Sequence, residues 1–330
     1  MIDTIYIEEN IRQHSRVEAI LSRFPSARKI ICERYGEVFN PNTQHFRLQK
    51  MKPALILAEK YKNFVLEAPR GYGIGTHRNY YFSHMMNCLY DCRYCFLQGM
   101  YSSAYYVLFV NYEDFQSGIR QLCESTPTEE IHFFSGYDCD SLALEPITEF
   151  AATFIPFFET LPNGWLELRT KSTQIRNLMQ QEPLDRCIVA FSLSPDDIVK
   201  KVEKKAPPLE RRLTAIEKLQ RHGWKIGLRF DPLIYQTNYK DLYRQLFDQV
   251  FGIVELDQLH SVSLGSFRLP ENYFKKMQKL YPNEKLFASP LANKNGMVSY
   301  RQNLEAEMIE FAKAEILSFI PLTKFFPCLL

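Results

Sequence analysis

Long uncharged apolar runs are missing from this sequence. No window of eighteen residues is apolar throughout, and the opening Met1-Ile-Asp-Thr-Ile-Tyr-Ile-Glu-Glu9 has no basic stretch leading into an apolar one. Neither a membrane-spanning helix nor a secretory leader is expected, and the reading is of a soluble, cytoplasmic protein. An excess of charge of one sign is lacking as well: 40 basic and 38 acidic residues give a formal net charge of +2. That excludes bulk polyelectrolyte character, so any nucleic-acid surface must be local. Cysteine is too sparse, at eight in 330 residues, for a disulfide scaffold, and a reducing compartment suits it better. Cys328 stands third from the end rather than fourth, which excludes a prenylation box. What is present is an apolar share of 46%, enough for a sizeable core and too much for global disorder.

Taken in order, residues 2–8 alternate like a strand, and 9–24 carry Ile11, Val17, Ile20 and Leu21 at helical spacing. A second short strand follows at 27–32, and residues 35–62 are polar and irregular. Residues 1–78 thus form a small N-terminal α/β appendage with a connecting segment. Its end, Arg70-Gly-Tyr-Gly-Ile-Gly-Thr-His77, has three alternating glycines, but Thr76 takes the sixth position of a dinucleotide loop and no helix pattern follows; a backbone-accessible turn is the reading. Across residues 79–265, β-rich runs at 80–84, 105–111, 130–135, 165–170, 186–193, 224–230 and 260–265 alternate with helical stretches at 112–125, 142–160, 172–181, 208–222 and 239–251. This predicts an α/β fold of parallel strands with crossover helices, a partial (β/α)6-type barrel. Ligands then bind at the carboxyl ends of the strands. Residues 266–330 break the alternation. Between Arg268 and Arg301 there are seven basic residues and two acidic ones, an excess of five. Asn293-Lys-Asn-Gly296 predicts a β-hairpin there, and an amphipathic helix at 304–318 closes the chain.

Chemistry concentrates in Cys88-Leu-Tyr-Asp-Cys92-Arg-Tyr-Cys95, just after the first barrel strand. Gaps of three and two residues let one loop wrap three sulfurs around a single centre. Structural zinc needs a fourth ligand, which would be His84 or a distant residue. A four-iron cluster normally takes four cysteines, so three would leave one iron open to something else. Three unligated cysteines on an ordinary loop are the plain alternative.

Cys-x3-Cys-x2-Cys with Tyr94 just before its last member resembles the signature of the radical S-adenosylmethionine (AdoMet) enzymes. The continuation sharpens this: Cys92-Arg-Tyr-Cys95-Phe-Leu-Gln98 and Tyr105-Tyr-Val-Leu-Phe-Val-Asn111 resemble the spore photoproduct lyase family, as do Thr170-Lys171, Phe191-Ser192, Pro208-Leu-Glu-Arg-Arg212 with Ala215 and His222-Gly223, and Pro232-Leu-Ile-Tyr235. The resemblance spans about residues 79–301. It implies a [4Fe-4S] cluster on Cys88, Cys92 and Cys95, with S-adenosylmethionine chelated to the open iron and cleaved by one electron to a 5′-deoxyadenosyl radical that splits a thymine dimer in DNA. It implies Tyr94 near the adenine, Lys171 on the methionine carboxylate, Ser192 hydrogen-bonded to the cofactor, and Ser135-Gly136 at its amino group. A one-electron donor such as a flavodoxin or ferredoxin is implied too.

Two departures stand out. The family places a tyrosine directly after the last cluster cysteine to pass the radical back, and this chain has Phe96, which carries no hydroxyl. The family also places a hydrogen-donating cysteine after the third strand; here Phe134-Ser-Gly-Tyr137-Asp-Cys139-Asp140, aligned on Thr148, puts Tyr137 near that position and Cys139 two residues later. Cys139 and Tyr137 are therefore the two candidate hydrogen donors. For DNA, the basic segment 268–301 offers phosphate contacts, Tyr273, Phe274, Tyr281 and Tyr300 offer stacking, and the hairpin bearing Lys294 and Arg301 is the expected wedge for flipping a lesion out. The same cofactor chemistry on a peptide, modified base or small molecule remains an alternative, as does a zinc-stabilised nucleic-acid-binding module without catalysis.

Overall fold

The computed structural model describes residues 2–69, 71–75 and 78–328. Arg70, Thr76 and His77 of the glycine-rich segment lie outside them. Six parallel strands, Arg78–Tyr81, Ile131–Phe134, Gly164–Thr170, Cys187–Ser192, Lys225–Leu233 and Leu259–Ser266, lie side by side in chain order. Leu66–Glu67 joins one edge antiparallel and Phe325–Pro327 the other in parallel, which leaves the barrel open. Cys187-Ile-Val-Ala-Phe-Ser192 is buried at all six positions, as befits a central strand covered on both faces. Helices Tyr112–Ser125, Leu209–His222 and Tyr239–Phe251 cover the sheet with apolar stripes such as Phe115, Ile119 and Cys123. Among the described residues no helix is long and apolar enough to cross a membrane.

The structure corrects three expected elements. The strand predicted at 105–111 is real, as Tyr106–Phe109, but it belongs to a separate five-stranded sheet with Arg28–Cys32, Thr4–Glu8, Leu55–Ala58 and Met85–Met86. Its parallel partner Leu55–Ala58 is buried at every position yet only four residues long, too short to stand out in a polar stretch. Two segments from beyond residue 79 thus complete the N-terminal sheet. The helix expected at 172–181 shrinks to one 3-10 turn, Leu178–Gln180. Side-chain hydroxyls take the backbone donors instead, with Ser172 N–H donating to Thr170 Oγ1 (2.8 Å) and Gln174 N–H to Ser172 Oγ (3.0 Å). The helix expected at 142–160 is two, Glu145–Thr148 and Phe150–Glu159, broken at Glu149 with φ of 48°. The Glu145 carboxylate accepts from Ala151 N–H (3.0 Å) and Ala152 N–H (3.3 Å) and so caps the second.

Inside the barrel, Glu167 and Arg229 are both fully buried and paired at 2.7 Å, and Arg169 adds a second contact at 2.9 Å. Burial opposes the Glu167 charge, but Arg229 and Arg169 outweigh it and hold the carboxyl at about 2. A lowered folded value stabilises the fold above the ordinary carboxyl range and loses that contribution as pH falls through about 2. Arg229→Met, which removes the closer of the two cations on the buried carboxylate and leaves Arg169, is expected to cost about 3 kcal/mol in urea unfolding at neutral pH, with a smaller deficit as acid protonates Glu167.

Near the C-terminus Leu291–Lys294 and Met297–Tyr300 form the expected hairpin, turning at Asn295 (φ 53°) and Gly296 (φ 81°). Arg268–Pro270 adds a third antiparallel strand. Helix Gln302–Leu317 follows.

Candidate active site

The carboxyl ends of the parallel strands open on a cavity of about 210 Å³. Cys88, Cys92 and Cys95 line it together with Tyr94, Gly136, Tyr137, Cys139, Lys171 and Ser192. Residues from four separated stretches of sequence thus meet where the strand-end rule places a ligand. Ser135 is the exception. It does not face the cavity, because its hydroxyl meets Ser141 Oγ (2.8 Å) and donates to the Glu167 carbonyl (2.9 Å). Gly136 is present for clearance: a Cβ there would stand 2.8 Å from the Arg169 carbonyl.

The cysteine loop is pinned by Asp91–Cys92 pairing antiparallel with Glu203–Lys204, and Cys95 N–H donates to the Cys92 carbonyl (3.2 Å). Burial pushes the Cys88 thiol up to about 12 and Cys92 well above its ordinary value. Two cations work the other way, Lys50 on Cys88 and Lys171 on Cys92, and both act on Cys95. Three soft sulfur donors on one cavity wall, with cations set against their burial, fit an iron–sulfur cluster. The zinc alternative fares worse. His84, the nearby fourth ligand considered, lies stacked on Phe150 with ring centroids 3.8 Å apart, buried and held neutral by desolvation at about 3.

Tyr94 is anchored by a network that the sequence matches contained without revealing its purpose. Its hydroxyl contacts Glu203, which is buried against Arg212 of the Pro208–Arg212 run, and Arg212 also donates to the Ser192 carbonyl (3.0 Å). The Lys171 ammonium sits 5.6 Å from the Tyr94 ring centroid. Burial works against that charge, yet Cys92, Glu203 and Asp140 together raise it. Asp140 ties the loop after the second parallel strand to the third: its carboxylate accepts from Leu142 N–H, Ala143 N–H, Thr170 Oγ1 (2.6 Å) and Lys171 N–H (2.6 Å). Those four bonds occupy the carboxylate, which makes it a brace.

Cys139 is 7% exposed, and its thiol donates weakly to the Ser135 carbonyl (3.8 Å). Burial pushes it well above its ordinary value, so it keeps its hydrogen. Tyr137 stacks on Tyr81 at 4.3 Å and lies 5.5 Å from the Phe96 ring. The missing hydroxyl of Phe96 therefore has a phenol beside it.

The far wall of the cavity went unforeseen. Arg268 belongs to it, held by Asp231 at 2.9 and 3.1 Å and donating to Tyr72 Oη (2.9 Å), which removes it from the exposed basic surface. The proposed stacking platform contracts as well. Tyr300 is 2% exposed, with its hydroxyl accepting from Tyr235 N–H, Phe274 is buried against Phe287, and Tyr281 is covered by Arg93 at 3.9 Å. These aromatics face inward because the hairpin and helix Glu271–Leu280 need a core of their own. Lys294 and Arg301 stay exposed on the hairpin and do not line the cavity. The strand Arg268–Pro270, whose Arg268 and Leu269 do, joins the two.

A sequence model of the spore photoproduct lyase family matches residues 77–303. The chain belongs to the spore photoproduct lyase family. Among curated relatives, the spore photoproduct lyase of Bacillus subtilis (strain 168) is 24% identical over 205 residues, 60% of this chain and 59% of that one. The Geobacillus sp. (strain Y412MC61) enzyme is 23% identical over 249 residues, 71% and 72% of the two chains. The match to the Bacillus enzyme thus spans less than two thirds of its length. In fold the likeness extends across the molecule. A solved spore photoproduct lyase variant with bound AdoMet and dinucleoside spore photoproduct superposes with a TM-score of 0.87 at 17% identity, covering 100% of this chain and 99% of the other. A second structure, complexed with dinucleoside spore photoproduct, gives 0.83 at 17% identity over 100% and 98%. This family fold is the partial barrel expected from the strand–helix alternation.

Proposed function

We propose that the chain is a radical AdoMet lyase acting on a thymine-dimer-type DNA photolesion. One observation carries the reading: the three loop cysteines, Lys171, and the two hydrogen-bearing side chains Tyr137 and Cys139 all line one cavity. The AdoMet and dinucleoside lesion bound by a family member of the same fold support both the cofactor and the substrate class.

Cys88, Cys92 and Cys95 would hold a [4Fe-4S] cluster that, with AdoMet bound, supplies one-electron cleavage of the sulfonium to a 5′-deoxyadenosyl radical. Lys171 presents a fixed ammonium for the cofactor carboxylate. Tyr94, its hydroxyl tied to Glu203, offers a ring edge for the adenine. Ser192, whose carbonyl Arg212 holds in place, offers a hydroxyl, and Gly136 a backbone surface. Cys139 would give its thiol hydrogen to the product radical. Tyr137, beside Phe96, would give its phenolic hydrogen to the resulting thiyl and so pass the radical, rather than a hydrogen, back toward the cofactor, recovering its hydrogen from 5′-deoxyadenosine. Lys294 and Arg301 on the hairpin contact phosphates next to the flipped lesion. The electron comes from a one-electron carrier of the flavodoxin or ferredoxin class, and eight free thiols suit a reducing cytoplasm.

Lys171→Met is expected to leave the iron content unchanged while weakening AdoMet binding about 10- to 100-fold, the worth of a lost hydrogen bond to a charged group. Equilibrium binding to the iron-loaded protein measures this. Counting photoproducts in irradiated DNA before and after incubation with protein, AdoMet and reductant tests the substrate. Loss of thymine-dimer lesions is expected; AdoMet cleavage with the lesions intact would assign the chemistry to another substrate.

A further inference from the structure

We propose that Lys50, in the N-terminal appendage, is the positioning residue of the cysteine loop and fixes a positive charge beside the cluster. This rests on the reading of that loop given above. Lys50 lies on the short helix Phe46–Met51 and is 6% exposed. Its ammonium leaves the appendage to donate to the carbonyls of Cys88 (3.0 Å) and Tyr90 (3.3 Å), inside the stretch that carries the three thiols. Its neighbour Gln49 takes the far end of the same segment, accepting from Ala104 N–H (2.9 Å) and Ser103 Oγ (3.4 Å). Two consecutive residues of one helix thus hold the start of the cysteine loop and the chain beyond its end. The clamp closes at the back. The Lys50 carbonyl accepts from Lys205 Nζ (2.8 Å), next to the strand Glu203–Lys204 that pairs with Asp91–Cys92.

Burying an ammonium is costly unless its surroundings answer the charge. The two hydrogen bonds of Lys50 go to neutral carbonyls rather than to a carboxylate, so its charge is not cancelled where it sits. An anionic cluster on the three thiolates would be the complement to this charge. The cation in turn favours the added electron, because attraction at short range in a poorly solvated site is strong. Lys50 would therefore raise the cluster's reduction potential as well as hold its loop.

The test is redox titration of anaerobically reconstituted protein without AdoMet, alongside iron and sulfide analysis, for wild type, Lys50→Met and Lys50→Arg. Methionine keeps the buried stem and removes only the ammonium. Lys50→Met is expected to lower the reduced-to-oxidised ratio at a fixed potential about tenfold, which for one electron is about 59 mV. Lys50→Arg should stay near wild type. Loss of iron uptake in Lys50→Met with uptake retained in Lys50→Arg supports the positioning role equally. A Lys50→Met protein matching wild type in iron content and potential overturns the proposal, as does an arginine variant that shifts as far as the methionine one. If far-UV circular dichroism shows Lys50→Met unfolded, Lys205→Met at the exposed end of the clamp decides: a smaller shift in the same direction supports the proposal, and none overturns it. Wild-type protein that takes up no iron removes the reading underneath instead.

Discussion

Replacing Cys88 with alanine is expected to leave a folded protein that no longer assembles its cluster or cleaves AdoMet. The half-buried thiol accepts one local hydrogen bond, from Tyr90 N–H at 3.4 Å, and the loop stays held by Lys50 and by the strand pairing at Asp91–Cys92. Little fold stability is therefore at stake. The proposed cluster, in contrast, has no spare cysteine ligand on this loop among the described residues. Among the cavity-lining residues the only other thiol is Cys139, on a different loop and hydrogen-bonded to Ser135. Loss of a direct ligand should exceed the roughly 10- to 100-fold typical of a lost outer partner. The visible absorption of the reconstituted protein and its 5′-deoxyadenosine output should both fall to background. Cys92→Ala and Cys95→Ala should match it. A Cys88→Ala protein that keeps four irons would remove that residue from the ligand set.

The second large effect is expected at Cys139. Its thiol lines the cavity and is held neutral by burial, with the nearby Cys88 and Asp140 adding to the rise. Cys139→Ala should still form 5′-deoxyadenosine, because the cluster and the Lys171 site are intact, but the product radical loses its hydrogen source. Repaired dinucleotide should fall at least about tenfold, with adducts or abortive products in its place. Tyr137→Phe separates the two candidates: it should slow turnover while preserving the product ratio if the phenol serves only the return step. If Cys139→Ala repairs like wild type and Tyr137→Phe misdirects the product, the roles are exchanged. The sign of the pH dependence follows from the raised value. The hydrogen stays on sulfur through the neutral and mildly alkaline range, so product partition should not change there.

Much of this was legible in the sequence because chemistry and periodicity coincided. Cys88, Cys92 and Cys95 are close in sequence, and strands such as Cys187–Ser192 are apolar at nearly every position. Lys171 and Ser192 were legible for a different reason: each lies at or just past a strand end, and in a parallel barrel all such ends share one face. What stayed hidden depends on long-range partners. Lys50 reads as one more surface lysine until a helix brings it against the Cys88 carbonyl. Arg268 reads as part of a basic patch until Asp231 takes it inward. Tyr300 reads as a stacking aromatic until Tyr235 and Phe267 pack against it and make it core. Ser135 stays out of the cavity lining for a local reason, since its hydroxyl donates to the Glu167 carbonyl of the neighbouring strand. The strand Tyr106–Phe109 is visible in the sequence but its place beside Leu55–Ala58 is not, because periodicity identifies a strand without naming its partner.

The central claim is that this cavity generates a radical from AdoMet and spends it on a thymine-dimer photolesion. The most direct measurement is to incubate the iron-loaded protein anaerobically with reductant, AdoMet and dinucleoside spore photoproduct, and to follow 5′-deoxyadenosine and restored thymine dinucleotide together by chromatography. The account predicts that both appear, and that both vanish in Cys88→Ala. A wild-type protein carrying its four irons that forms neither would contradict it.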